Sequence, residues 1–530
     1  MGGRVERRAR TALAGAAVVA GVAAALAAPA AADAAPALVN PGFEDGLTGW
    51  TVRGSAGAAT AGPGPDGAGR LLHAAPRPYT VRTTQQVGGL ADGWYTLEVR
   101  VGSGGGLDAS TVALTGCGGP PAVTTTPLTE DAGWVRISVS AHVTGGRCTV
   151  ELATTGRAGT WAGFDDVVLR PGRPAGRVAG ADLSSLAKNE DHGAVYRDAR
   201  GVAGDPVGLL RAAGTNLARL KVWVDPADGY NDTDDVVATA LRAEAAGMDV
   251  LVDFHYSDRW ADPGQQRVPA AWAGYSVERL ADAVHDHTAE VLTALADAGV
   301  SVDLVQVGNE INSGMLWPYG QTWDVVPGDG VDGPQFDALA SFLSAGAAAV
   351  RAAAPSAEVM LHLAEGGDVG AFTWWFDEIT ARGVDFDLIG ASYYGFWHGS
   401  LAELQHTLDT VTRRYDRDVL VVETAYPFTL DDADGHENII DLPAELVPGY
   451  PATPAGQAAH LRAVADVVAA VPGGRGIVYW EPAWTAVAGS GWDPEDPASG
   501  NAWENQALFG FDGRLLPAAA ELSPRPTPPR

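Results

Sequence analysis

The stretch Val302–Ile311, VDLVQVGNEI, decides the fold. An apolar run rich in Val and Leu breaks off into Gly308-Asn309-Glu310, with Asn312 just beyond. A continuous apolar run reads as a strand buried on both faces, as in the parallel sheets of α/β proteins. Packing does not call for two adjacent polar residues at its C-terminal end. The C-terminal mouth of a barrel, however, is where such enzymes keep their chemistry. Taken alone, the Asn-Glu pair also reads as an exit into a solvated loop. A second stretch, Val419–Glu423 (VLVVE), ends the same way before Thr424-Ala425-Tyr426-Pro427. Two glutamates closing two buried strands favour a functional pair over two loop exits.

Working outward, apolar strands alternate with Ala-rich amphipathic helices from Val178 onward. Strands are predicted at 178–183, 215–224, 248–256, 302–311, 357–364, 386–394, 419–424 and 476–484. Helices are predicted at 234–246, 278–298, 334–353, 371–382, 401–414 and 456–470. Eight strands alternating with helices predict an α/β fold, a (β/α)8 TIM barrel spanning 178–513. Residues 499–530 close the last helical turn and trail into a Pro-rich tail, 514–530. Upstream, residues 37–170 are rich in Gly, Thr and Val, with short alternating runs such as WYTLEVRV (94–101) and WVRISVSAHV (134–143). These predict an N-terminal all-β sandwich, joined to the barrel by the linker PGRPAGR at 171–177.

The chain has 530 residues, enough for two or three domains, and is 46% hydrophobic with 16 Trp. Its formal net charge of −30 argues against nucleic acid or an anionic membrane surface as partner. Residues 1–32 read as a secretory signal: Arg4, Arg7, Arg8 and Arg10, an apolar stretch, then Ala30-Ala31-Ala32. A secreted, extracellular protein without a membrane anchor is expected, no later segment being read as apolar for long enough to cross a bilayer. The export route stays open, since Arg7-Arg8 could serve a twin-arginine signal. The only cysteines, Cys117 and Cys148, fall in the sandwich and are expected to form a disulfide in an exported protein.

Polar and aromatic residues collect at the strand ends. They include Asp182, Arg219, Lys221, Trp223, His255, Tyr256, Asp258, Trp260, Asn309, Glu310, Tyr393, Tyr394, Glu423, Trp480, Glu481 and Trp484. Two carboxylates facing across a barrel mouth can cleave a glycosidic bond, one protonating the leaving oxygen while the other attacks the anomeric carbon. An aromatic rim suits sugars, whose C–H faces stack on Trp. Glu365 and Glu481 also end strands, but neither follows an Asn and neither lies on strand four or seven.

The motifs GADLSSL (180–186), RLKVWVDP (219–226), DFHYSDRWADP (253–263), VGNEI (307–311), VVETAYP (421–427) and YWEPAW (479–484) resemble those of the endo-β-1,4-galactanases, glycoside hydrolase family 53. The resemblance implies Glu310 as general acid/base and Glu423 as nucleophile, acting with retention and without a catalytic cofactor. It further implies that Asn309 holds the 2-hydroxyl of the bound sugar and that Arg219 keeps Glu423 ionised and oriented. His255, Asp258, Trp260, Tyr394, Trp480 and Trp484 are the other expected substrate contacts. Lys221 and Asp225 depart from the more frequent Arg and Asn. The expected partner is β-1,4-galactan of type I arabinogalactan in pectin, and the expected enzyme a monomer. β-Mannan or β-glucan, or polysaccharide binding without catalysis, are the rivals.

The loop Asp432-Ala433-Asp434-Gly435-His436-Glu437-Asn438 spaces oxygen-bearing residues alternately, as a hard cation requires. Some relatives carry a calcium-binding loop of this pattern, which implies structural Ca²⁺ held by Asp432, Asp434, His436 (through its carbonyl) and Asn438. His285 and His287, two apart on a helix, read as surface residues. The opening LVNPGFEDGLTGW (38–50) and closing FDDVVL (164–169) of the sandwich resemble jelly-roll carbohydrate-binding modules. Trp50, Trp94, Tyr95, Trp134 and Trp161 are candidates there for sugar stacking, each also readable as core.

Overall fold

A computed structural model of the chain describes residues 38–64, 69–129 and 133–524. The expected signal segment lies outside them. Two five-stranded antiparallel sheets form the N-terminal part. One runs, in spatial order, Thr51–Gly54, Tyr79–Gly88, Arg147–Gly156, Leu107–Thr115 and Ala122–Thr125. The other runs Ala59–Pro63, Gly69–Ala74, Trp161–Pro171, Gly93–Ser103 and Val135–Val143. Alternation along Tyr79–Gly88 sends Tyr79, Val81, Thr83, Gln85 and Val87 inward, as a sandwich with one wet face requires. Val81, Leu97, Val99, Val150, Leu152 and Phe164 form its core. A disulfide joins Cys117 and Cys148. Among the candidate stacking aromatics, Trp50 and Tyr95 are buried in the core. Trp94 is covered by Arg173 and Arg462, at 5.0 and 5.2 Å from its ring.

Eight parallel strands close the barrel: Val178–Asp182, Leu217–Val222, Asp249–Phe254, Leu304–Val307, Glu358–Leu363, Leu388–Ser392, Asp418–Thr424 and Gly474–Tyr479. They are called strands one to eight below. Most stop short of the predicted C-terminal boundary, for a local reason. Glu310, Glu365 and Glu481, each just past a strand, adopt the left-handed conformation with φ of 47, 63 and 49°. That conformation breaks the ladder and costs a non-glycine residue about 1 kcal/mol. Two helices in the first crossover, Leu186–Asp191 and Pro206–Ala213, went unpredicted: the first is too short for periodicity, and glycines dilute the second. The helical turns expected over 499–530 are, among the described residues, the 3₁₀ turns Glu504–Gln506 and Pro517–Glu521.

His287 corrects the surface reading: it is buried against Trp272, Phe254 and Tyr256. It shares the inward stripe of helix Val277–Ala298 with Val284, Thr288 and Val291, whereas His285 stays exposed. Helix Phe336–Ala353 is long and apolar enough to cross a membrane by length and composition, contrary to expectation. Here its apolar side (Leu339, Phe342, Leu343, Val350) is buried in the barrel core.

Candidate active site

The barrel interior stacks in two layers. The lower is apolar: Leu217, Leu251, Leu304, Met360, Leu388, Leu420, Val422 and Val478. Side chains two positions apart share a strand face. One step toward the mouth, the same strands therefore present Arg219, Asp253, Gln306 and His362, with Ser392 two steps on; all are buried. Strand seven needs an extra device. Ala391 pairs with Val421 but Ser392 pairs with Glu423, so strand seven carries one extra residue. Such a bulge re-aims the following side chain, and Glu423 joins the interior.

Glu310 and Glu423 offer carboxylate oxygens within 4.8 Å of each other, with a ring nitrogen of His362 in the same group. Glu423 accepts from Arg219 at 2.8 Å and from the Tyr394 hydroxyl at 3.0 Å. Glu310 accepts from the Ser392 hydroxyl at 2.5 Å. Arg219 also pairs with Asp182 at 2.5 Å and Asp253 at 2.8 Å, and donates to Asn309 Oδ1 at 2.9 Å. Burial pushes the Glu310 carboxyl well above its ordinary value, and the neighbouring Glu423 charge pushes it further. Burial also raises Glu423, to about 7, with Arg219 the strongest opposing influence. Arg219 touches Glu423 and not Glu310, so the proton the pair retains resides on Glu310.

Behind Glu310 stands a relay. Gln306 Nε2 and the Glu310 backbone N–H point at His362 Nδ1, at 2.9 and 3.4 Å. Two donors thus face Nδ1 against one acceptor, Asn309 Oδ1 at 3.1 Å. This favours Nδ1 as acceptor and assigns the proton to Nε2, which meets Ser392 Oγ at 2.9 Å. Burial keeps His362 neutral.

A cavity of about 560 Å³ opens over the pair. Of the expected residues, Arg219, His255, Trp260, Asn309, Tyr394, Trp480 and Trp484 line it beside Glu310 and Glu423. Trp260 stacks near-parallel to Trp484, centroids 6.2 Å apart, and Trp480 abuts both. Lys221 Nζ lies 3.9 Å from the Trp260 ring centroid and pairs with Glu481, which is thereby a structural carboxylate. Asp258 is not among the lining residues. Its two oxygens accept the backbone N–H groups of Asp225 and Ala270, so it braces loops. Trp397, Trp492 and Trp503 line the cavity too, from loops that gave no periodic signal.

In the loop after strand seven, Asp432, Asp434 and Glu504 bring carboxylate oxygens within 4.8 Å of one another. Asp432 and Asp434 also order the loop by accepting its own N–H groups. Asn438 Oδ1 and Glu504 Oε2 are buried without a hydrogen-bond partner among the described residues. Burial raises Glu504 to about 7. His436 is exposed, and its side chain lies against Gly500.

A closed parallel barrel with a proton-sharing glutamate pair and an aromatic rim defines a glycoside hydrolase. Residues 178–522 match the model of Glycosyl hydrolase family 53, and the chain belongs to that family. An uncharacterised protein of Niallia circulans is 41% identical over 65% of this chain and 93% of its own length. An endo-β-1,4-galactanase of Bacillus subtilis is 35% identical over 64% of this chain and 84% of its own. A solved structure, the GH53 catalytic domain of Ignisphaera aggregans, is 37% identical with a TM-score of 0.61, covering 66% of this chain and 97% of that one.

Proposed function

We propose that the protein is a secreted endo-β-1,4-galactanase that cleaves the galactan of pectic type I arabinogalactan with retention of configuration. The observation that carries this reading is the approach of the Glu310 and Glu423 carboxylate oxygens to within 4.8 Å. Retaining enzymes hold their carboxyls about 5–5.5 Å apart, whereas inverting ones leave about 6.5–9.5 Å for a water. Family membership and the named Bacillus relative support galactan over mannan or glucan.

In the first step Glu310 gives its proton to the glycosidic oxygen while Glu423 attacks the anomeric carbon. The bond to the leaving sugar breaks and a glycosyl ester on Glu423 forms. That ester removes the charge that had held Glu310 protonated, so Glu310 then takes a proton from water, which cleaves the ester. Asn309 is suited to the 2-hydroxyl. Its Oδ1 is taken by Arg219 and one Nδ2–H by Ala261 O at 2.7 Å, leaving the second N–H for the sugar.

We also propose a structural Ca²⁺ held by Asp432, Asp434 and Asn438, the His436 carbonyl and, beyond the sequence expectation, Glu504. The buried, unpartnered oxygens of Asn438 and Glu504 fit a hard, oxygen-seeking cation. The ion would neutralise the loop beside the nucleophile strand. Secretion rests on the 1–32 signal pattern, and N-terminal sequencing of protein from culture medium tests it.

The deciding experiment is reducing-sugar release from unbranched β-1,4-galactan by wild type, Glu423→Ala and Glu310→Ala, with azide added. Wild-type cleavage, loss in both variants and an inverted glycosyl azide from Glu423→Ala are expected. Cleavage of mannan or glucan instead refutes the substrate, and binding without cleavage refutes the activity.

A further inference from the structure

Beside the catalytic cavity lies a second one of about 710 Å³. The two share Glu365, Trp397 and His398, so they adjoin one another at these residues. Its outer wall belongs to the other fold: Leu128 and Thr129 of the sandwich face Asp368 and Val369, at the start of the helix Val369–Ala381 that follows strand five. No step of the proposed reaction uses this space.

The sandwich is fixed there. The Ser138 backbone N–H donates to Gln405 Oε1 of helix Leu401–Tyr415 at 2.8 Å. Ala402 of that helix is fully buried within the sandwich core. A groove between rigidly joined walls needs no ordering when a ligand arrives, which favours binding.

Its chemistry selects the ligand. Trp397, 51% exposed, stands at the junction and offers a ring face. Glu365, Asp368, Glu403 and His406 supply hydrogen-bonding groups, and among the described residues no Lys or Arg lines the groove. Such a lining repels polyanions and suits a neutral, hydroxyl-rich chain.

We propose that this groove carries the galactan chain onward from the catalytic cavity, so that the sandwich wall completes distal subsites of the enzyme. This rests on the galactan reading above. The sandwich then acts as part of one binding surface with the barrel, and not as a tethered anchor.

The test compares wild type with Leu128→Trp on the sandwich wall and Val369→Trp on the barrel wall. Leu128 is half exposed, so the larger ring fills the groove without entering a core. The readout is the ratio of kcat/KM on long galactan to kcat/KM on β-1,4-galactotriose, with thermal unfolding as the folding control. A fall in that ratio of about fivefold or more in both variants, the size of one lost sugar contact of about 1 kcal/mol, is the expected result. An unchanged ratio, whether kcat/KM is unaltered or falls equally on both substrates, overturns the groove assignment. Wild-type cleavage of neither substrate instead overturns the galactan reading itself.

Discussion

Replacing Ser392 by Ala isolates the proton chemistry of Glu310. The Ser392 hydroxyl donates to Glu310 Oε1 at 2.5 Å and receives His362 Nε2–H at 2.9 Å. A hydrogen bond to a charged group contributes about 1.5–3 kcal/mol, and it favours the ionised carboxyl over the protonated one. One pKa unit corresponds to about 1.36 kcal/mol. Losing the bond therefore raises the Glu310 pKa further, by about one unit if water replaces part of the interaction. Glu310 must be protonated for the first step, so the alkaline limb of the kcat/KM profile on galactan moves to higher pH by about that amount. On the plateau kcat falls by about tenfold, because a weaker and less well-aimed acid protonates the leaving oxygen. That is less than the roughly 10²–10⁴-fold worth of an entire acid group. Ser392→Thr retains the hydroxyl and restores the wild-type limb. The orphaned His362 N–H also costs about 1–3 kcal/mol of stability, read by thermal unfolding. An alkaline limb that stays in place or moves down, with kcat at the wild-type level, refutes the relay.

In the proposed mechanism the acid limb belongs to Glu423, which must be ionised. The Tyr394 hydroxyl lowers its pKa, so Tyr394→Phe raises it above about 7 and the acid limb moves up, with more activity lost at low pH than at high. Arg219→Lys keeps one charge but loses the fork that reaches Asp182, Asp253, Glu423 and Asn309. It is expected to lower kcat by at least about 10²-fold and to cost about 3 kcal/mol in denaturant unfolding, as breaking a buried ion pair does. If the proposed Ca²⁺ is held, chelation with EDTA is expected to lower the Tm of wild type, and added Ca²⁺ to restore it. Glu504→Gln weakens that Ca²⁺ response, and a Tm indifferent to both reagents refutes the site.

The barrel was legible because its strands are continuous apolar runs, and the pair Glu310/Glu423 because each glutamate interrupts such a run. Gln306, His362 and Ser392 carry the same kind of signal in a fainter form. Each is a single polar residue inside a strand buried on both faces, two or four positions beyond an inward apolar residue. A polar group there must have a partner across the barrel. Glu423 was placed at the right strand end, but the bulge that turns it inward has no signature in VLVVE. Asp258 sat in a recognisable motif and turned out to hold backbone, since sequence order does not say which way a loop side chain points. His287 departs from its surface expectation because the spacing within the pair His285/His287 carries no information, whereas the apolar stripe of their helix does. The groove walls at Leu128 and Val369 lie 241 positions apart (369 − 128) and share no pattern.

Arg219 is the only Arg or Lys in contact with Asp182, Asp253 and Glu423 among the described residues, and the His255 imidazole adds a contact to Asp253 at 3.0 Å. The mouth floor is thus richer in negative charge than in positive. A sugar that develops positive charge at its ring oxygen and anomeric carbon enters surroundings already arranged for it. The same surroundings make the enzyme vulnerable. A galactose-shaped ring with a protonated amine would hold permanently the charge that substrate acquires only in passing. Its inhibition would deepen with rising pH as Glu423 ionises, then fade once the amine gives up its own proton.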